Sequence, residues 1–366
     1  MAAFENRVRI RLDRSVDRSY DVVFAELERL PALLAECGID GKTCLVVTDT
    51  NVARHHGDAV DACLRVSGLD VRRIVIEPGE TSKSFASYGS LLDRALETPI
   101  DRKTPVLAFG GGVVGDLAGF AAATLLRGLP LVQVPTSLVA QVDSAIGGKT
   151  GINHSAGKNL IGSFHQPRLV VVDTKLLETL PGAEWMDGLS EVVKYGLIAD
   201  AALAQYLLDN WERVLDRDPG VVQWVVRRCI EIKADVVSLD ETEQGARAIL
   251  NFGHTFGHAL ERVAGSTGLT HGRAVALGMR AALHLSGIRH PDADFEAASE
   301  LVGRLPAAPV NATIDELMEA MTTDKKRVGS ALRFVLLRKT GRAVVVDGAD
   351  KEDIRESWSY ALGLEA

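Results

Sequence analysis

Between Glu243 and Glu261 the sequence EQGARAILNFGHTFGHALE places two histidines four residues apart. On a helix, Glu243, Arg247, Asn251, His254, His258 and Glu261 fall within roughly a quarter of the circumference. Phe252, Phe256 and Leu260 point the other way, and Gly253 and Gly257 beside the stripe admit a close neighbour. A solvated face would favour Lys, Glu and Ala over two histidines and two glycines. Histidines at i and i+4 suggest a metal site, but HTFGH lacks the Glu of HExxH, which disfavours a zinc protease of that type. A third ligand must come from elsewhere. His271, in THGRAV, follows a glycine-rich turn and opens a helix; Glu191, in GLSEVVKYG, lies on a separate helix with Lys194 one turn later. Two histidines and one carboxylate with open positions describe a catalytic cation rather than a structural one. Spacing alone leaves the choice between His254 and His258 open.

Two further segments carry anion chemistry. GGGVVGD (Gly110 to Asp116) follows an apolar run and opens a helical pattern. Glycines there let backbone N–H groups approach a pyrophosphate, with the helix N-terminus adding positive potential; a plain strand-to-helix turn reads the same on spacing. DSAIGGKTG (Asp143 to Gly151) imitates a P-loop, but GxxxxGK(S/T) would need Gly at Asp143, so a nucleoside triphosphatase is disfavoured. Lys149, Lys158 and Asn159 in these glycine-rich surroundings, with Arg127 upstream, favour a phosphate or carboxylate ligand. Lys233, in CIEIKAD, lies on a largely apolar helix and needs a partner there.

These residues must be positioned by two kinds of element. Up to about residue 178, continuous apolar runs at 42–52, 71–80, 104–112, 129–135 and 168–174 alternate with helical patterns such as Ser84 to Glu97. That alternation predicts a parallel sheet covered on both faces, with ligands beyond the carboxyl ends of its strands. TDTN, EPGE, GGG and VPTS fall at those ends. After about 180, 3.6-residue periodicity dominates through helices around 201–215, 221–240, 246–264 and 272–287, with one small hairpin from Leu332 to Gly348. The reading is an α/β part, 1–178, followed by a mostly α-helical part, 179–366, with the cleft between them as the default site.

Composition fits a globular chain, 46% hydrophobic and 25% charged. A net charge of −8 argues against a nucleic-acid partner. Four scattered cysteines, Cys37, Cys44, Cys63 and Cys229, read as reduced thiols of a cytoplasmic protein. MAAFENRVRIRLDRS offers no apolar core for a signal peptide. The apolar stretch Leu117 to Leu126 is too short to span a bilayer.

Taken in order, GGGVVGDLAGFAAAT, QVPTSLVAQVDSAIGGKTGIN, GKNLIG, GLSEVVKYGLI, EIKADVV and NFGHTFGHALE resemble the dehydroquinate synthase family of sugar phosphate cyclases. The resemblance runs from about Thr48 to His271 and resumes at DKK (Asp324 to Lys326). It implies a Rossmann-like NAD-binding α/β domain, then a helical domain that binds metal and substrate. It further implies a zinc or cobalt ion held by Glu191, His254 and His271, which makes His258 a proton-handling residue with Glu243 as a second. NAD is then met by Asp49, Asn51, Glu80, Lys83, Gly111, Gly112, Val113, Asp116, Thr136, Ser137, Lys158 and the segment from Leu176 to Thr179. The substrate's carboxylate, hydroxyls and phosphate fall to Arg127, Asp143, Lys149, Asn159, Lys194, Lys233, Arg247 and Asn251, with Lys325 or Lys326; Lys149 and Lys194 also count as catalytic.

The implied reaction converts 3-deoxy-arabino-heptulosonate 7-phosphate to 3-dehydroquinate and phosphate. It runs by transient oxidation, phosphate elimination, re-reduction and an intramolecular aldol closure, in a homodimer. The family usually has Glu two residues after the second ligand histidine; here Arg273 stands there, and a surface ion pair is the preferred explanation over a change around the metal ligand. Sister cyclases, such as 2-deoxy-scyllo-inosose synthase or an amino-dehydroquinate synthase, are the main alternatives. A metal-dependent polyol dehydrogenase and a non-catalytic dinucleotide- and metal-binding regulator stand further off.

Overall fold

A computed structural model describes residues 17–97, 99–265, 269–306, 309–328 and 332–364, the side chains of 323–328 excepted. Strands β1 (Asp21–Phe24), β2 (Thr43–Asp49), β3 (Asp70–Ile76), β4 (Val106–Gly110) and β5 (Leu131–Pro135) are followed by a hairpin of β6 (Lys149–His154) and β7 (Gly157–Phe164), then by β8 (Leu169–Val172). Six of these form one parallel sheet in the order β1-β8-β5-β4-β2-β3. The inner strands are buried along nearly their whole length because helices cover both faces. Period-2 alternation divides them: Cys44, Val46, Leu107 and Phe109 pack into one core, and Leu45, Val47, Val106 and Ala108 into another. The chain passes from β2 outward to β3, then returns to lay β4 on the other side of β2. This reversal opens a crevice at the carboxyl ends of β2 and β4, where Asp49 and Gly110 sit.

The C-terminal part is built on helices Gly182–Ala199, Pro219–Leu239, His254–Ala264 and His271–Arg289. It adds the antiparallel pair β9 (Arg333–Lys339) and β10 (Arg342–Asp347), the hairpin expected between Leu332 and Gly348. No described helix is long and apolar enough to cross a membrane. All four cysteines are free, Cys44 and Cys229 buried and Cys37 and Cys63 half-buried.

Two expectations are corrected. The polar stripe from Glu243 to Glu261 is not one helix: a 3-10 turn, Ala246–Asn251, precedes the α-helix that starts at His254. Asp240 draws the chain into a loop by accepting from the backbone N–H groups of Gln244, Gly245 and Arg247, and Gly253 then takes a left-handed conformation at φ 80°. The glycine-rich stretch from Lys149 to Phe164, read only as an anion-binding segment, is the antiparallel hairpin β6–β7. Gly151 and Gly162 face each other in it. A Cβ on Gly162 would stand 2.1 Å from Thr150 O, so the pairing needs glycine.

Candidate active site

Two helices bring the histidines together. His254 and His271 each open a helix, and the helices pack backbone against backbone. A Cβ on Gly278 would lie 2.1 Å from Gly253 O, and one on Gly257 3.1 Å from Ala274 O. Bare backbone at these positions therefore sets the spacing, and the rings of His254 and His271 end 5.4 Å apart. Glu191 reaches the same point from the middle of helix Gly182–Ala199, where its side chain is 1% exposed. Its Oε1 lies 3.6 Å from His254 Nε2 and 3.8 Å from His271 Nε2. One ligand atom from each of the three residues falls within 4.8 Å of the others.

The donor set fits a divalent cation. Glu191 Oε1 is buried with no hydrogen-bond partner, which is costly for a carboxylate oxygen that nothing else satisfies. Its other oxygen accepts from the buried Lys194. His254 Nδ1 lies 3.2 Å from Phe252 O, and His271 Nδ1 lies 3.4 Å from Glu261 Oε1. An acceptor at Nδ1 holds the proton there and leaves Nε2 free to ligate. His258 lies beside this trio, its ring 5.5 Å from that of His254 and edge-on.

Around the trio lie the charged groups singled out in the sequence. Lys233 donates to Asp143 through the main-chain O at 2.5 Å and Oδ1 at 2.6 Å, and Tyr195 OH donates to the same Oδ1 at 2.5 Å. Burial works against the Asp143 charge, but Lys233 and Lys194 outweigh it and hold the carboxyl well below the usual carboxylate range. Burial pushes Lys233 down despite the attraction of Asp143. Lys149 pairs with Glu243, which also accepts from Asn251 Nδ2 at 3.4 Å. Arg247, buried, donates to Glu241 O and Gly147 O.

A second group gathers at the carboxyl ends of the strands. Gly111 and Gly112 start the helix after β4 with no side-chain cap, so its first N–H groups are open to a ligand. Lys83 Nζ donates to Asp116 Oδ2 at 2.7 Å and to Asn159 Oδ1 at 2.5 Å. Burial raises the Asp116 carboxyl while Lys83 pulls it down. Asp49 caps the turn after β2, accepting from the N–H of Asn51 and Val52. Thr136 is buried, and Ser137 Oγ accepts from Ala140 N. Thr179 Oγ1 meets His56 Nε2 at 2.7 Å.

The remaining expected residues stand as follows. Leu176 packs into the core, so only its backbone can face a ligand. Arg127 is exposed, in a left-handed turn with Leu126. The side chains of Lys325 and Lys326 lie outside the described residues. The surface ion pair expected of Arg273 is absent among the described residues; its charge acts on half-buried Asp187, which accepts from Thr270 Oγ1 at 2.7 Å. Sequence reasoning assigned no role to Glu261, although it ends the polar stripe. Burial opposes its charge, but His271 and Lys158 together bring its carboxyl down to about 2. His56 and Tyr195 were also missed, because neither stands in a pattern that marks a site.

The family models described as 3-dehydroquinate synthase N-terminal and C-terminal match residues 73–187 and 188–327. A 3-dehydroquinate synthase from Salinibacter ruber is 51% identical over 349 residues, covering 94% of this chain and 95% of its own.

The chain belongs to the 3-dehydroquinate synthase family.

A 3-dehydroquinate synthase from Caulobacter vibrioides is 44% identical over 93% of this chain and 95% of its own. Among solved structures, a 2-epi-5-epi-valiolone synthase from Streptomyces hygroscopicus, with NAD+ and Zn2+ bound, superposes with a TM-score of 0.86. It is 28% identical and covers 98% of this chain and 100% of its own. A 2-deoxy-scyllo-inosose synthase complexed with carbaglucose-6-phosphate, NAD+ and Co2+ gives 0.82 at 27% identity, over 92% of this chain and 95% of its own. An iron-containing alcohol dehydrogenase from Thermotoga maritima, 16% identical with a TM-score of 0.67 over 94% and 98% of the two chains, shares the fold alone. Membership of the 3-dehydroquinate synthase family makes this chain an enzyme, a cyclase that eliminates phosphate.

Proposed function

We propose that this chain converts 3-deoxy-arabino-heptulosonate 7-phosphate to 3-dehydroquinate and phosphate, with NAD and a zinc or cobalt ion as resident cofactors. The observation that carries the reading is the orphaned Glu191 Oε1 facing two histidine Nε2 atoms. When bound, NAD would supply reversible hydride transfer and the cation would supply Lewis acidity toward the substrate's oxygens. Glu191, His254 and His271 hold the cation. Asp49, Asn51, Glu80, Lys83, Gly111, Gly112, Val113, Asp116, Thr136, Ser137, Lys158 and the backbone from Leu176 to Thr179 form the cofactor's cradle beside it.

The chain's own residues do the rest. Lys149, Asn159, Arg247, Asn251 and Lys233 supply positive charge and amide donors for the carboxylate and phosphate, with Arg127 and Lys325 or Lys326 completing the set. Asp143 fixes Lys233 and orients Tyr195. Lys194 balances the second oxygen of Glu191. His258, next to the ligand pair, moves protons between substrate hydroxyls and solvent, and Glu243, held by Lys149 and Asn251, is the second proton carrier. The parts 1–178 and 179–366 divide these tasks, cofactor to the first and cation to the second, as the change from sheet to helices after β8 supports. We further propose a homodimer working in the cytoplasm, a compartment that suits four free thiols.

A pair of variants tests the assignment. The parent should release phosphate from the heptulosonate phosphate. His254→Ala should lose bound metal and phosphate release together, and His258→Ala should keep metal while turnover falls by about 100-fold or more. A parent that leaves this substrate untouched and turns over glucose 6-phosphate overturns the reading in favour of a sister cyclase.

A further inference from the structure

We propose that Glu261 is a positioning residue of the metal centre, and that through it cation retention is coupled to the β6–β7 hairpin. This rests on the metal reading above and adds a residue to which no role has been given. Glu261 lies seven residues after His254 on the same helix, two turns on and on the same face. Its Oε1 stands 3.4 Å from His271 Nδ1, while His271 Nε2 points toward Glu191. Each ligand histidine thus has an acceptor at its far nitrogen, but the two acceptors differ in kind. For His254 it is the main-chain oxygen of Phe252, fixed by the backbone. For His271 it is a side chain that must itself be held.

What holds it comes from across the cleft. The same oxygen, Glu261 Oε1, accepts from Lys158 Nζ at 2.8 Å. Lys158 is on β7, and the next residue, Asn159, accepts from Lys83 Nζ on the cofactor side, where Lys83 is also paired with Asp116. Asn153 on β6 adds a second tether on that side, donating to Glu80 Oε1 at 2.7 Å. Two adjacent residues of one strand therefore reach opposite walls of the cleft, one ending on the metal-ligand support and one on the cofactor cradle. A hairpin anchored on the cofactor side keeps Lys158 on Glu261. Glu261, so held, keeps the His271 Nε2 lone pair aimed at the cation. Because coupling is reciprocal, a bound cation should in turn hold the hairpin down.

The test uses the cobalt-loaded, NAD-saturated protein and follows cobalt release to a chelator. Glu261→Gln keeps the shape and removes the charge; it should release cobalt about 10-fold faster or more and alter the cobalt visible spectrum. Lys158→Ala, at an exposed position, should speed release in the same direction. The double variant should be no faster than Glu261→Gln alone, since both act through one oxygen. Amides of residues 157–164 should exchange more slowly when cobalt is added to the parent, and this protection should vanish in Glu261→Gln. Lys103→Ala, which removes an exposed pair with Asp40, should change nothing. Parental release rates in Glu261→Gln, or strictly additive effects in the double variant, overturn the proposal. A parent that takes up no cobalt overturns the metal reading itself, and this inference with it.

Discussion

At the scale of the residue, the site is a set of charges that pair with one another and leave Glu191 Oε1 open. Asp143 shows how strongly. It accepts from Lys233 and Tyr195, and in spite of burial its carboxyl is held below the usual range. A carboxylate depressed on folding contributes stability that is complete above its unfolded value, near 4, and is lost as the pH falls toward its folded value. Asp143→Asn leaves Lys233 buried without a counter-charge, which costs about 3 kcal/mol at neutral pH. That deficit should narrow below about pH 4, where the unfolded parent begins to bind a proton that folded Asp143 does not. Urea midpoints for both proteins at neutral and acid pH check this; a deficit that stays constant across the range contradicts it.

At the scale of the element, the sequence was most readable where apolar runs were long. Strands β2, β4, β5 and β8 lie within the segments predicted for them, and β3 starts one residue before its own, because burial between helices writes continuous Val, Leu and Ile. Edge strand β1, only four residues long and half-exposed, carries no such signal. The β6–β7 hairpin was hidden for a different reason: its pairing depends on Gly151 and Gly162, which lack the side chains that periodicity reads. The helix break at Gly253 was hidden because Glu243, Arg247 and Asn251 keep helical spacing although a loop and a 3-10 turn carry them. Spacing found both histidines but not which one comes together with Glu191 and His271. That depends on how two helices pack at Gly253, Gly257 and Gly278, a tertiary fact. Gly278→Ala would drive a methyl group into Gly253 O and part the helices. It should destabilise the protein by about 1–3 kcal/mol and lower its metal content as well. A variant with full metal content would show that the packing does not set the histidine spacing.

At the scale of the whole molecule, the arrangement answers why one chain can hold both an oxidising cofactor and an eliminating, aldol-closing site. The crevice where the sheet order reverses lies at the ends of β2 and β4, and the helical part brings ligand atoms of Glu191, His254 and His271 within 4.8 Å of one another. The β6–β7 hairpin joins the two walls through Lys83, Lys149 and Lys158. Groups that act on neighbouring carbons of one substrate are thereby kept within one cleft, so a reduced cofactor can be used again before the product leaves. The dehydrogenase reading shares this fold but not this consequence, since a dehydrogenase must let its reduced cofactor go. The two accounts separate in a single cuvette containing purified protein, NAD, zinc or cobalt and the heptulosonate phosphate, with phosphate release and NADH absorbance followed together. This account predicts phosphate and dehydroquinate in equal amounts over many turnovers, with NADH never exceeding the enzyme concentration. NADH that accumulates in step with substrate consumed, or phosphate that fails to appear, would contradict it.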